Sequence, residues 1–409
     1  MSFSGSLVNL RFRRLSRVNP LLITQLHTSS IKTVQIKNID SDLRQKPYQE
    51  GKKVKTLRNE VQSLCAWKDQ DELLEELFEN IVYHEPESDK SGLVVLNKPY
   101  GLPRKPSDDS LYALESVLPL LSDRLEVKSL QIVKCTERFT SGITLLGTSN
   151  ITSEKFHKAM RRCVTERILP SSHLAIVKGS PNIHRNEDVD LKLTDCPEVN
   201  DPLFGSVHRE PVISRHLAKP WKLKRQEIKR VHVNVDSVAR NPGAGAGVVS
   251  LSSSKVSNHF IQVYLADIGH PVIGDMLYDY RSRTVLGKRI RITSHTNARR
   301  TQVLPYPLLE PLGLKKGEEW MLPKMLHQYK IHLPKWNQGK DITIFAPPLA
   351  HWMRTCQLLE LNFNFKEFAE QDKIAHFKQN NNRAEKKKKK REEEQEALTD
   401  LQQSIVELP

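Results

Sequence analysis

Residues 132–148 read IVKCTERFTSGITLLGT, two apolar runs around a polar knot. In the knot a carboxylate, Glu137, is followed by Arg138 and then by Thr140, Ser141 and Gly142. A carboxylate is anionic at neutral pH and suits a nucleophile or a base. It serves equally well as a polar turn residue that bonds the Thr140 and Ser141 backbone, with Thr140, Ser141 and Gly142 kept for loop shape. Residue type alone leaves both readings open. A second candidate is His259, in SNHFIQVYLADIGHPVIGD (257–275), where packing at a helix N-terminus is the alternative to a site role. Asp275 in the same stretch reads as a turn residue. Lys98, at the end of LVVLNKP (93–99), is expected to touch phosphate, with a solvated lysine as the duller alternative. The five cysteines are far apart and form no C-x-x-C pair, which argues against zinc or a disulfide framework and for reduced, packed thiols.

These residues need strands and helices to hold them. LVVLNKP, LQIV (130–133), ITLLGT (143–148), HLAIVKG (173–179), VHVNV (231–235), VVSLS (248–252) and ITIFAPP (342–348) read as strands. NPGAGAG (241–247) reads as a turn, and residues 181–226 as irregular chain or short strands. Leu73, Leu74, Leu77 and Phe78 sit at helical spacing. A helix is predicted from Thr152 or Ser153, with Phe156, Met160 and Val164 on one face and Lys158, Arg161 and Arg162 elsewhere. Another is predicted over 257–268, capped by Ser257 or Asn258 and stopped by Gly269 and Pro271. Paired strands with inserted helices predict an α+β fold around a mixed, mostly antiparallel sheet with flanking helices.

The net charge of +15 on 409 residues is not confined to one tail, and it favours a polyanion partner. No run of about 18 apolar residues is present to span a membrane. Residues 1–39 hold no Asp or Glu, and carry Arg11, Arg13, Arg14, Arg17, Lys32 and Lys37 among many Ser and Thr. That describes a mitochondrial transit peptide, taken as 1–35, or else a basic arm for RNA. Residues 36–90 read as an extension, 91–360 as the main domain and 361–409 as a charged tail with a Lys386–Arg391 run.

LVVLNKPYGLP (93–103) resembles the first motif of the RluA-type RNA pseudouridine synthases, an apolar strand running into N-K-P-x-G. ERFTSGITLL (137–146) resembles their catalytic motif, H-R-L-D-[KR]-x-T-S-G, and residues 257–275 resemble the third, R-T-H-Q-I-R with G-H-P and G-D. LHQYKIHLP followed by FAPP (326–348) fits their terminal strands. Four motifs in order make the match specific for the pseudouridine synthase fold. TVLGKRI (284–290) and the transit-like start point to the mitochondrial subgroup.

The resemblance implies isomerisation of uridine in RNA without metal or cofactor. An Asp would act as nucleophile or base beside a flipped-out base. An Arg from the third-motif helix would orient that Asp, and a Tyr would stack on the uracil. Here the Asp position holds Glu137, the Arg position Gln262 and the Tyr position His173; Lys134-Cys135-Thr136 replaces H-R-L. Glu is one methylene longer, about 1.5 Å, and about 1 Å of misplacement can cost on the order of a hundredfold. Gln262 brings no charge, so Glu137 should lean toward its neutral form unless Arg138 or another cation replaces the partner. His173 can still stack on a base. The substrate contacts expected are therefore His173, Gln262, Arg138, Thr140, Ser141, Gly142 and His259, with Lys98, Arg161 and Arg162 on the RNA backbone. Two functions compete: a mitochondrial-matrix pseudouridine synthase for messenger or ribosomal RNA, and a non-catalytic RNA-binding relative acting with RNA-processing or ribosome-assembly proteins.

Overall fold

In chain order the elements are α1 (Gln70–Glu79), β1 (Ile81–Ser88), β2 (Ser91–Lys98), α2 (Leu114–Arg124), β3 (Gln131–Lys134), β4 (Ser141–Gly147), α3 (Asn150–Glu166), β5 (Ser171–Lys178), β6 (His184–Cys196), β7 (His208–Ser214), α4 (Pro220–Lys224), β8 (Ile228–Asn241), β9 (Ala246–Ser253), α5 (Phe260–Asp267), β10 (Ser282–Val285), β11 (Lys288–Arg291), α6 (Tyr306–Leu309), β12 (Leu326–Asn337), β13 (Lys340–Phe345) and α7 (Ala350–Leu358). This computed structural model describes Val61, Leu64 and residues 66–88, 91–106, 112–196, 208–225, 227–285, 288–291 and 302–375. The expected transit peptide (1–35), most of residues 36–65 of the 36–90 extension and the charged run of the tail lie outside the described residues.

Nine strands run in the order β1-β2-β4-β12-β5-β9-β8-β6-β7, with β13 added to β12 and β3 to β4. Every pairing in this sheet is antiparallel except β4 with β12, which run parallel from Ser141 beside His327. The fold is α+β, with a mixed, mostly antiparallel sheet.

The apolar run in β2 is continuous because both its faces are covered. Leu93 and Val95 pack with Ile143, Leu145 and α3's Phe156 and Ala159. Val94 and Leu96 face Leu73 and Leu77 of α1 and Leu114, Val117 and Leu121 of α2. Helix α5 is buried from Phe260 through Ala266, so no polar stripe marks a solvent side.

Several expectations are corrected. Helix α3 starts at Asn150, after Ser149, and not at Thr152 or Ser153; Thr152 is instead buried, its hydroxyl donating to the Gly92 carbonyl. Val164 is 63% exposed, because Ala159 and Cys163 turn inward beside Phe156. Residues 181–226, read as irregular chain or short strands, contain one long strand, β6 of 13 residues, and a shorter one, β7 of 7. Strand β6 buries Val189 and Leu191 between charged neighbours, a pattern that reads as polar. The cap of α5 is His259, in the left-handed region at φ +53, after Asn258 at φ +54. Helix α2 was not anticipated, since Pro119 lies inside it and reads as a breaker.

Candidate active site

Glu137 lies in the turn between β3 and β4, where the Thr140 N–H donates to its carbonyl. Its carboxylate does not bond the Thr140 or Ser141 backbone. It reaches across to α5 and to the chain just before β12. His259 Nδ1 lies 3.0 Å from both carboxylate oxygens, and Lys324 Nζ donates to Oε2 at 3.3 Å. Gln262 sits beside them with two amide orientations. In one, Nε2 donates to Glu137 at 3.3 Å. In the other, Oε1 accepts from Lys324 Nζ at 2.8 Å and Nε2 donates to the His259 carbonyl at 3.2 Å. The second satisfies both ends of the amide and is preferred.

Burial pushes the Glu137 carboxyl upward, but the His259 hydrogen bond and the nearby Lys324 charge outweigh it, and the group is held down to about 2. The exception stated for Glu137, another cation in place of the lost arginine, is thus the case that applies, and the carboxyl does not lean toward its neutral form. The replacement cation is not Arg138 but Lys324, which the sequence reading missed. Arg138 turns the other way: its Nε donates to the Gly101 carbonyl and its guanidinium lies over Phe139.

The Lys324 backbone is fixed from several sides. Its N–H donates to Tyr100 Oη, in the N-K-P-Y-G segment. The neighbouring Met325 N–H donates to the Ile273 carbonyl. Gly274 has φ +81, and a Cβ there would lie 2.1 Å from the Pro323 carbonyl oxygen, so only glycine lets this chain pass so closely. Asp275 is buried, accepts from the Leu277 N–H and is pushed by burial up to about 6, with Lys324 pulling the other way.

The hydroxyls of the knot face inward. Ser141 Oγ pairs with His327 Nδ1 at 2.9 Å, and His327 Nε2 faces the Ala346 carbonyl. Thr140 is buried. His173, on β5, is only 2% exposed; its Nδ1 has no protein partner, nor does the Nε2 of its neighbour Gln328 on β12. Burial first, and then the Lys134 charge, hold His173 down to about 3. It is therefore a neutral, buried ring, close enough for the charge of Glu137 to act on it.

Lys98 is a correction. It is fully buried, and its Nζ donates to the carbonyls of Pro99, Leu102 and Arg138. Three carbonyls supply what water would otherwise supply, so this lysine ties the first motif to the Glu137 turn and does not face a phosphate. Arg161 and Arg162 belong to α3. Arg161 is exposed, and Arg162 lines a groove of ≈ 280 Å³ with Lys155, Lys158, Lys335 and Trp336.

Acid should destabilise this centre. Burial holds His173 and His327 down to about 3 and His351 to about 4, so they stay neutral in the fold while unfolded histidine titrates near 6.5. Below pH 6.5 the unfolded chain takes up these protons and the native one does not, so stability falls as pH falls. Asp275 works in the opposite sense below about 6. About two protons remain net, a slope of about 3 kcal/mol per pH unit between pH 6 and 5. Thermal melting from pH 7 to 5 checks this, and a flat profile over that range would refute neutral burial of the three rings.

No protein-family model matches the sequence. The chain is 29% identical over 280 residues to the human protein named mitochondrial mRNA pseudouridine synthase RPUSD3, covering 66% of this chain and 75% of that one. It is 24% identical over 290 residues to pseudouridylate synthase RPUSD4, mitochondrial, of Xenopus tropicalis, covering 69% and 80%. Among solved structures it resembles human RNA pseudouridylate synthase domain containing 4, with a TM-score of 0.51 at 17% identity over 72% of this chain and 98% of that one. Among the described residues no helix is long and apolar enough to cross a membrane.

Proposed function

Since the chain is a homologue of the mitochondrial pseudouridine synthases and has the pseudouridine synthase fold, we propose that it isomerises uridine to pseudouridine in mitochondrial RNA, with Glu137 as the working carboxylate. The observation that carries this reading is the company Glu137 keeps. An ammonium from the chain before β12 and an imidazole from the cap of α5 hold the carboxylate ionised, although the family's Arg position holds the neutral Gln262. The Glu137 side chain is 39% exposed while that of Lys324 is 10% exposed, so the carboxylate is the open member of the pair and the one a substrate can reach.

The finer parts of the reading follow the sequence. Messenger RNA is the substrate class, in keeping with the name of the human relative, and the acid-free N-terminus is a presequence for the matrix. Residues 91–360, together with α1 and β1 that pack against them, form the catalytic domain. Arg161 and Arg162 meet the RNA backbone, so binding weakens with salt. RNA-processing or ribosome-assembly proteins are its partners.

The test is pseudouridine mapping of mitochondrial RNA in cells lacking the protein, rescued with wild type or Glu137→Ala. Sites should vanish on deletion and return with wild type alone. An unchanged map, together with rescue of translation by Glu137→Ala, would replace the isomerase by an RNA-binding protein.

A further inference from the structure

Lys324 stands 187 residues from Glu137 in sequence, in the stretch LPKMLHQ, and no catalytic motif marks it. It is 8% exposed, yet its ammonium lies within reach of two acceptors, the Glu137 carboxylate and the Gln262 amide oxygen in its preferred orientation, and it feels the charge of Asp275. Lysine is a flexible point charge that loses several rotors when fixed. This one is held at its main chain by Tyr100 and by the close pass over Gly274, and at its tip by Gln262.

We propose that Lys324 is the positioning residue of the Glu137 carboxylate, and that Gln262 acts on the reaction only by aiming Lys324. This rests on the isomerase reading above. The geometry divides the labour. In its preferred orientation Gln262 turns its amide nitrogen to the His259 carbonyl and its oxygen to Lys324, so it gives Glu137 no hydrogen bond of its own; Lys324 brings the charge, and the Gln262 oxygen fixes where its Nζ points. The longer Glu side chain reaches toward the β12 side, where the cation is. Lys324 and His259 therefore approach the carboxylate from two different elements, the chain before β12 and the cap of α5, and fix its plane as well as its charge.

The reaction breaks the C1′–N1 bond and forms C1′–C5; the hydrogen on C5 leaves to water and N1 gains a proton. Tritium placed at C5 of uridine is thus released once per turnover. The probe is a set of transcripts spanning the mitochondrial genome of the source cells, carrying [5-³H]uridine, with purified full-length protein. Lys324→Met and Lys324→Gln are expected to lower kcat by about 100-fold with KM changed by less than about threefold. Lys324→Arg should stay within about tenfold of wild type. Gln262→Arg, added to Lys324→Met, should recover at least about tenfold, since position 262 already lies beside the carboxylate. In parallel, the ¹³C-labelled Glu137 carboxyl is titrated by NMR, and its midpoint should rise by about one pH unit or more in Lys324→Met.

The proposal is overturned if either neutral variant stays within about threefold of wild type. It is also overturned if the loss is reversed by neither Lys324→Arg nor Gln262→Arg, as a merely structural lysine would behave. Should wild type release no tritium at all, the isomerase reading falls. The Glu137 titration then decides Lys324 alone, and an unmoved midpoint in Lys324→Met rejects it.

Discussion

Glu137→Gln is expected to stop pseudouridine formation, with a loss of a thousandfold or more, about 4 kcal/mol or greater in barrier, while the protein still folds. Gln is isosteric with Glu, so the turn and its packing survive. What disappears is the negative charge, and with it both candidate roles, attack on the sugar and removal of a proton. Lys324 loses its anion but keeps the Gln262 oxygen and the field of Asp275, so the melting temperature should move only a few degrees. Tritium release and thermal melting separate the two effects. Activity within tenfold of wild type would mean that the chemistry lies elsewhere. Glu137→Asp sharpens the question. The shorter chain withdraws the carboxylate by about 1.5 Å from His259 and Lys324, now 3.0 and 3.3 Å away. About a hundredfold loss is expected. A faster Asp variant would show instead that the pocket still suits the shorter acid and that Glu is the defect.

Much of this centre was legible in the sequence, and the reasons differ residue by residue. The strands β2, β4, β5 and β9 announce themselves because both their faces are buried, giving unbroken apolar runs such as LVVL. The turn with Glu137 and the helix with His259 and Gln262 follow from ordered motifs, and they do meet in space. Lys324 was not legible. It sits in an ordinary loop, and long-range contacts, among them the parallel pairing of β4 with β12 and the hydrogen bond to Tyr100, bring it to Glu137. A long-range pairing of that kind leaves no local pattern. Lys98 was misread for the opposite reason. Its motif is plain, but sequence does not reveal that three carbonyls converge on its ammonium. β6 and β7 were left between irregular chain and short strands because their charged residues mask a period of two.

Gly142→Ala should be among the most damaging single changes in the chain, and it bears on why the knot has its form. Gly142 has φ +111, and a Cβ there would lie 2.2 Å from the Gln328 carbonyl oxygen and 2.8 Å from the Gln328 nitrogen. These are backbone atoms of β12, paired with β4 at this point, so no side chain can swing aside. The strain in φ alone costs about 1–3 kcal/mol; with the clash the total should exceed about 4 kcal/mol. In a domain of this size that lowers the melting temperature by about 10 °C or leaves the protein insoluble. Gly317→Ala is the control. Its φ is +94, but nothing lies within 4 Å of a Cβ, so it should cost only the backbone strain. Equal melting temperatures for the two variants would refute the steric account. If Gly142→Ala is far worse, then Gly142 is kept by the approach of two backbones, while Ser141 beside it pins His327 through a hydrogen bond. Glycine and serine then build the seat, and chemistry is left to the carboxylate that the seat presents to Lys324.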